Sequence, residues 1–81
     1  MTPQSITIAS QLAAALRERR SRLGLTQAQA GANVGLLPKT ISALESAPEK
    51  STIDSLLKLL AALDLQLVLE PRESHDSGSE W

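Results

Sequence analysis

The chain contains no cysteine, no phenylalanine and no tyrosine, and it has a single methionine and a single tryptophan. Without cysteine there is no disulfide staple, no thiolate zinc site and no thiol nucleophile. With almost no aromatic residues the core must be aliphatic. Leu, Ala, Ile and Val supply nearly all of the 42 % apolar content, and Leu and Ala lose least on entering a helix. No apolar run approaches the roughly 20 residues that span a bilayer. The N-terminal MTPQSITI lacks a basic region followed by a long apolar stretch, so no signal peptide is expected, and the expected location is cytoplasmic. The one histidine, His75, stands alone near the C-terminus, and the carboxylates are scattered. No enzyme, metal, cofactor or small-molecule substrate is expected from such a set. At 81 residues the chain is one small domain, near the size where a single core is only just sufficient.

Net charge is −1, but its distribution is uneven. Residues 1–44 hold Arg17, Arg19, Arg20, Arg22 and Lys39 against Glu18, five minus one, or +4. Residues 45–81 hold Lys50, Lys58 and Arg72 against eight carboxylates, or −5. A basic half and an acidic half suggest two surfaces with different partners; alternatively, RERRSR is only a solvated helix face.

The periodicity predicts four helices. Thr7 or Ser10 opens the first, with Leu12, Leu16 and Leu23 as its buried stripe and Gly24 as its stop. Thr26 and Gln29 fit a capping box for a short second helix, about Gln27 to Val34, ended by Gly35. Pro38 suits the first position of a third helix, which points Ile41 and Leu44 inward and ends near Ser46. Ser51 with Asp54 offers another capping box for a fourth helix running through Leu63. Its apolar stripe is Ile53, Leu56, Leu57, Leu60 and Leu63.

After Asp64 the sequence LQLVLE alternates, which is the period of a strand. No other segment alternates, and a lone apolar strand leaves backbone groups and leucines unsatisfied. The expectation is that Leu65, Leu67, Val68 and Leu69 pair with the same strand of a second copy, forming a homodimer; alternatively, these residues extend the fourth helix or lie as coil on the core. The domain is placed at residues 1–70, with the strand at about 64–70. From Pro71 onward PRESHDSGSEW reads as a disordered tail.

Two short helices joined by a glycine turn, preceded by a basic helix, describe a helix-turn-helix unit. Gly31 faces the third helix where only a small side chain fits, while Val34, Leu36, Ile41 and Leu44 lock the pair. The run from Thr26 to Glu45, TQAQAGANVGLLPKTISALE, resembles the Xre/Cro/C1 family of DNA-binding domains. The fold class implied is all-α, a lambda-repressor-like domain of four to five helices. A single strand and a short polar tail after the last helix are similar to HipB-type antitoxins. That resemblance implies strands pairing across a homodimer, repression of the chain's own operon through double-stranded DNA, and neutralisation of a HipA-type Ser/Thr kinase toxin. The alternatives are a plain repressor without a toxin, or an interaction module that no longer binds DNA.

By the same resemblance, Gln27 matches a phosphate-contacting position, and Thr40 and Ser42 match hydroxyl positions on or beside the recognition helix. Lys39 stands where a base contact is expected and can donate to guanine O6 or N7. Pro38 and Ala43 are also groove-facing, but Pro38 carries no donor and Ala43 reaches only a thymine methyl. Arg17 and Arg20 are candidates for the DNA backbone, although Arg20 alternatively pairs with Glu45. Leu37 stands where the family often places a Ser or Thr cap. With so few base-reading side chains, specificity is expected to draw on half-site spacing and DNA shape. The acidic half, including Glu49, Asp54, Asp64 and Glu70, offers a surface for a partner that does not compete with DNA. Trp81 is expected to dock on the toxin, to mark the chain for proteolysis, or to be idle.

Overall fold

Three helices end in the same way, and those endings set the path of the chain. The computed structural model describes residues 3–72, and among them it has α1 (Ala9–Arg22), α2 (Gln27–Ala32), α3 (Pro38–Leu44), a 3-10 turn (Pro48–Lys50) and α4 (Ile53–Ala62). After α1 the amide of Leu25 donates to the carbonyl of Arg20 at 3.1 Å and that of Gly24 to Ser21 at 3.0 Å. After α2 the amide of Leu36 donates back to Gly31 at 3.1 Å. After α4, Leu65 donates to Leu60 at 2.8 Å and Asp64 to Ala61 at 3.1 Å. These are Schellman-type closures, which need a left-handed residue just past the helix. Gly24 (φ +70°), Gly35 (φ +74°) and Asp64 (φ +57°) supply it. Each is followed by a leucine, Leu25, Leu36 or Leu65, that packs against the core.

The core is aliphatic, as the composition requires. Leu16 from α1, Ala30 from α2, Ile41 and Leu44 from α3, and Leu59, Leu60 and Leu63 from α4 and its cap form one buried cluster. Each large member contributes about 1.5–3 kcal/mol by leaving water. No strand forms among the described residues. The segment predicted as a strand follows α4 with Leu65 packed inward and residues 66–70 exposed. Strand structure needs a ladder partner, and no described segment pairs with it.

Several local expectations are corrected. Neither Thr7 nor Ser10 caps α1: Ile8 is the N-cap residue. The Gln11 side chain reaches back instead, its Oε1 accepting from the Thr7 amide at 2.7 Å and the Ile8 amide at 3.4 Å. Thr52, rather than Ser51, caps α4 by accepting from the Ser55 amide at 3.1 Å. Asp54 pairs with Lys58 at 3.1 Å on the surface. This frame buries Leu59 and leaves Ile53 and Leu57 exposed. Leu23, placed in the buried stripe of α1, is the exposed C-cap residue. The α2 helix stops two residues short of Val34. Trp81 and His75 lie outside the described residues, and no described helix is long and apolar enough to cross a membrane.

Two single substitutions test this account with opposite signs. Asp64 holds a left-handed conformation that costs a residue with a Cβ roughly 1 kcal/mol, and its carboxylate faces the negative end of the α4 dipole. Asp64→Gly should raise stability in urea by about 1 kcal/mol. A Cβ on Gly31 would overlap the carbonyl oxygen of Leu36 and stand 3.0 Å from Ile41 Cδ1. Gly31→Ala should therefore cost at least about 2 kcal/mol. Equal midpoints for the parent and both variants would contradict this reading.

Candidate nucleic-acid interface

The helix-turn-helix geometry comes from one close approach. The missing Cβ at Gly31 lets the turn pass directly over α2, and the Leu36 amide bonds the Gly31 carbonyl at 3.1 Å. Leu36 and Ile41 then seat α3 against α2. The α2 helix begins with the expected capping box: Thr26 Oγ1 accepts from the Gln29 amide at 3.1 Å, and Gln29 Oε1 accepts from the Thr26 amide at 2.8 Å. The α3 helix has no such cap. Leu37 at its N-cap makes no side-chain bond, and Pro38 takes the first helical position, where a missing N–H costs nothing.

With Ile41 and Leu44 committed to the core, the opposite side of α3 is open. Pro38, Lys39, Ser42 and Ala43 are exposed and Thr40 is half-buried. Gln27, half-buried, stands at the first position of α2. One apolar side chain at this end, Leu37, is 67 % exposed, and the sequence marks it only as a poor cap.

Below this face lies the one buried charged group among the described residues, Glu45, at 2 % exposure. Its carboxylate accepts from both arms of the Arg20 fork, Oε2 from Nε at 2.6 Å and Oε1 from Nη2 at 2.9 Å. Gln27 Nε2 also donates to Oε1, at 3.3 Å. Arg20 Nη1 donates onward to the Leu25 carbonyl at 2.9 Å. Thus α1, the turn after it, α2 and the C-terminus of α3 meet at one ion pair. Of the two roles open to Arg20, pairing with Glu45 is the one seen. Burial alone pushes the Glu45 carboxyl up, but the hydrogen bonds from Arg20 and Gln27, with the positive charges of Arg20 and Arg17, outweigh it and hold the pKa below the usual carboxylate range. The Arg20 guanidinium is raised chiefly by its hydrogen bond to Glu45.

The other arginines of RERRSR are also tied down. Arg17 Nη1 donates to the Glu45 carbonyl at 3.0 Å, at the end of α3, while the residue stays exposed. Arg19 Nε donates to the Leu63 carbonyl at 2.9 Å, at the end of α4. Arg22 pairs with Glu18 at 3.0 Å on the surface. Cations at helix C-termini answer carbonyls left without intrahelical partners. The run is therefore first a set of ties between helices. Its formal charge overstates what is available to a polyanion.

Because folding lowers the Glu45 pKa, its stabilisation is fully present above the unfolded value of about 4.3. It is lost as pH falls through the lower folded-state value. Thermal melts of the parent chain should lose stability across that acidic window, and Glu45→Gln should lack this part of the loss. At neutral pH Glu45→Gln should cost about 3 kcal/mol, whereas replacing both partners by apolar residues, Arg20→Met with Glu45→Leu, should recover most of it. A pH profile for Glu45→Gln parallel to that of the parent would refute the pairing.

Comparison with known proteins agrees with this geometry. A family model described as a helix-turn-helix domain matches residues 11–71. Antitoxin HipB of Escherichia coli strain K12 is 30 % identical over an alignment of 87 positions, gaps included, covering 100 % of this chain and 99 % of that protein. Antitoxin HipB of Escherichia coli O6:H1 is 29 % identical, covering 100 % and 93 %. Among solved structures, a HipA–HipB–O2–O3 complex contains a chain that superposes with a TM-score of 0.83 at 31 % identity, covering 88 % of this chain and 100 % of that one. A HipB–O4 20mer complex gives a TM-score of 0.82 at 31 % identity, with the same coverage. The helix-turn-helix match over residues 11–71 and the full-length likeness together place this chain in the family of HipB antitoxins, helix-turn-helix DNA-binding proteins.

Proposed function

We propose that the chain is a dimeric antitoxin that binds operator DNA sequence-specifically, represses its own operon, and binds and neutralises a HipA-type Ser/Thr kinase. The observation that carries this reading is the open face of α3, mounted on a rigid Glu45 network, in a chain that matches HipB over its whole length. Lys39 donates to a base edge, Ser42 and Thr40 to phosphate or base, and Pro38 and Ala43 make apolar contacts in the groove. Gln27 holds a phosphate with the amide hydrogen that Glu45 leaves free, and Arg17 reaches the backbone from α1. The related complex of HipB with HipA and DNA supports the toxin partner.

Dimerisation is supported by what the single chain leaves uncovered. Leu67, Val68 and Leu69 are exposed, Leu69 at 90 %. They border a groove of about 1200 Å³ whose walls include Ile6, Leu12, Leu56, Leu60 and Leu65. A second copy pairing residues 65–69 covers these leucines and satisfies their backbone groups. The acidic residues Glu49, Asp54, Asp64 and Glu70 are exposed and leave α3 free, which suits a kinase that binds while DNA is held.

Light scattering should report the mass of two chains for the parent and of one for Leu67→Asp. The variant should bind an operator duplex at least about 100-fold more weakly, because both half-sites are then no longer engaged together. For the parent, log K against log salt should fall with a slope of about −3.5, as for roughly four neutralised phosphates, met by Arg17 and Lys39 of each copy. Gln27→Ala should weaken every sequence about equally and keep that slope, since glutamine carries no charge. Copurification of a kinase from the native host supports the antitoxin reading. A monomeric parent chain, or binding indifferent to sequence, would reject it.

A further inference from the structure

We infer that Leu37 is a specificity-determining residue, reading the C5-methyl group of a thymine beside the base pair that Lys39 contacts. The inference rests on the DNA-binding reading above and adds a residue to it. A leucine exposed at 67 % contributes little to the core, and at this position it also forgoes a local bond. The N-cap of α3 makes no side-chain hydrogen bond, whereas the caps of α2 and α4, Thr26 and Thr52, each accept one from a backbone amide. A serine or threonine at position 37 would stabilise α3, so leucine there is locally unfavourable.

What it offers instead is apolar surface at the tip of the open face. Leu37 adjoins Pro38 and Lys39, and Ala43 lies one turn further along α3. This surface pairs one long cationic donor with three side chains that can neither donate nor accept. Among the groups at the floor of the major groove, the only apolar one is the thymine methyl. The chemistry selected is therefore a guanine next to a thymine, read by charge-assisted donation from Lys39 and by burial of a methyl group against Leu37. The other exposed leucines are different in kind. Leu23 is the C-cap residue of α1, away from α3 in the chain, Leu67 and Leu69 belong to the segment assigned to the second copy, and nothing on α4 indicates what covers Leu57.

The experiment uses the full chain and a pool of randomised 20-base-pair duplexes. The recovered duplex is then resynthesised with deoxyuridine replacing thymidine at one position at a time, which removes only the methyl group. The parent chain should lose about fourfold in affinity at one thymine per half-site, the worth of one buried methyl group, and that thymine should neighbour a guanine. Leu37→Ser should bind the thymine and uracil forms of this duplex equally, while melting at a higher temperature than the parent because α3 gains a cap. A merely structural role would move both properties in the same direction. Leu37→Ala supplies the same binding test without the added cap. If every uracil replacement affects the parent and both variants alike, Leu37 reads no methyl and the inference fails. If no duplex is enriched at all, the DNA-binding reading fails with it.

Discussion

The structure depends on the ion pair between Arg20 and Glu45. Four segments distant in sequence converge on it: α1, the turn after α1, the start of α2 and the end of α3. A carboxylate at 2 % exposure is tolerable only with its lone pairs filled, and here they are filled by a bidentate fork and a glutamine amide. Such a pair adds little net stability compared with apolar residues of similar size. What it adds is registry, since this placement of α3 against α1 and α2 satisfies the charge. Gln27, at the first position of α2, is held by the same carboxylate.

Around that pair the packing is made of small aliphatic groups and close backbone approaches. Lacking Phe and Tyr, the chain brings α2 and α3 together at a glycine and seals each of three helix ends with a leucine. The result is a recognition helix of seven residues, too short to persist alone, held rigid because Ile41 and Leu44 are fully buried. Rigidity matters to function: ordering the contact side chains in advance lowers the cost of binding.

Much of this was legible in the sequence, and the misses have physical causes. The glycines at 24 and 35 mark their helix ends, and Thr26 with Gln29 marks the start of α2, because these signals are local. Asp64 reads in the sequence as the end of the α4 pattern and as part of an acidic surface; nothing in the letter D reveals a left-handed residue that glycine would fill more easily. On α4 the pattern admits two adjacent frames, and the frame with Thr52 as cap buries Leu59 and exposes Ile53 and Leu57. The arginines were the hardest to place. A run of positive charge looks the same whether it faces phosphate or caps carbonyls 28 and 44 residues away, and only the tertiary arrangement separates the two. The alternation of residues 65–69 was plain, yet a strand is a property of two segments, and the sequence contains one.

In the proposed function, Gln27 and the open side of α3 meet DNA, with the Arg20–Glu45 pair as their fixed support. The most direct test is an NMR titration of the full chain with the recovered operator duplex, following backbone amides together with the Arg20 Nε–H signal. The account predicts that shifts concentrate on Gln27 and on Lys39 to Ala43, while the Arg20 signal stays in place and protected from exchange. Shifts confined to residues 53–72, with Gln27 and α3 unmoved, would contradict it.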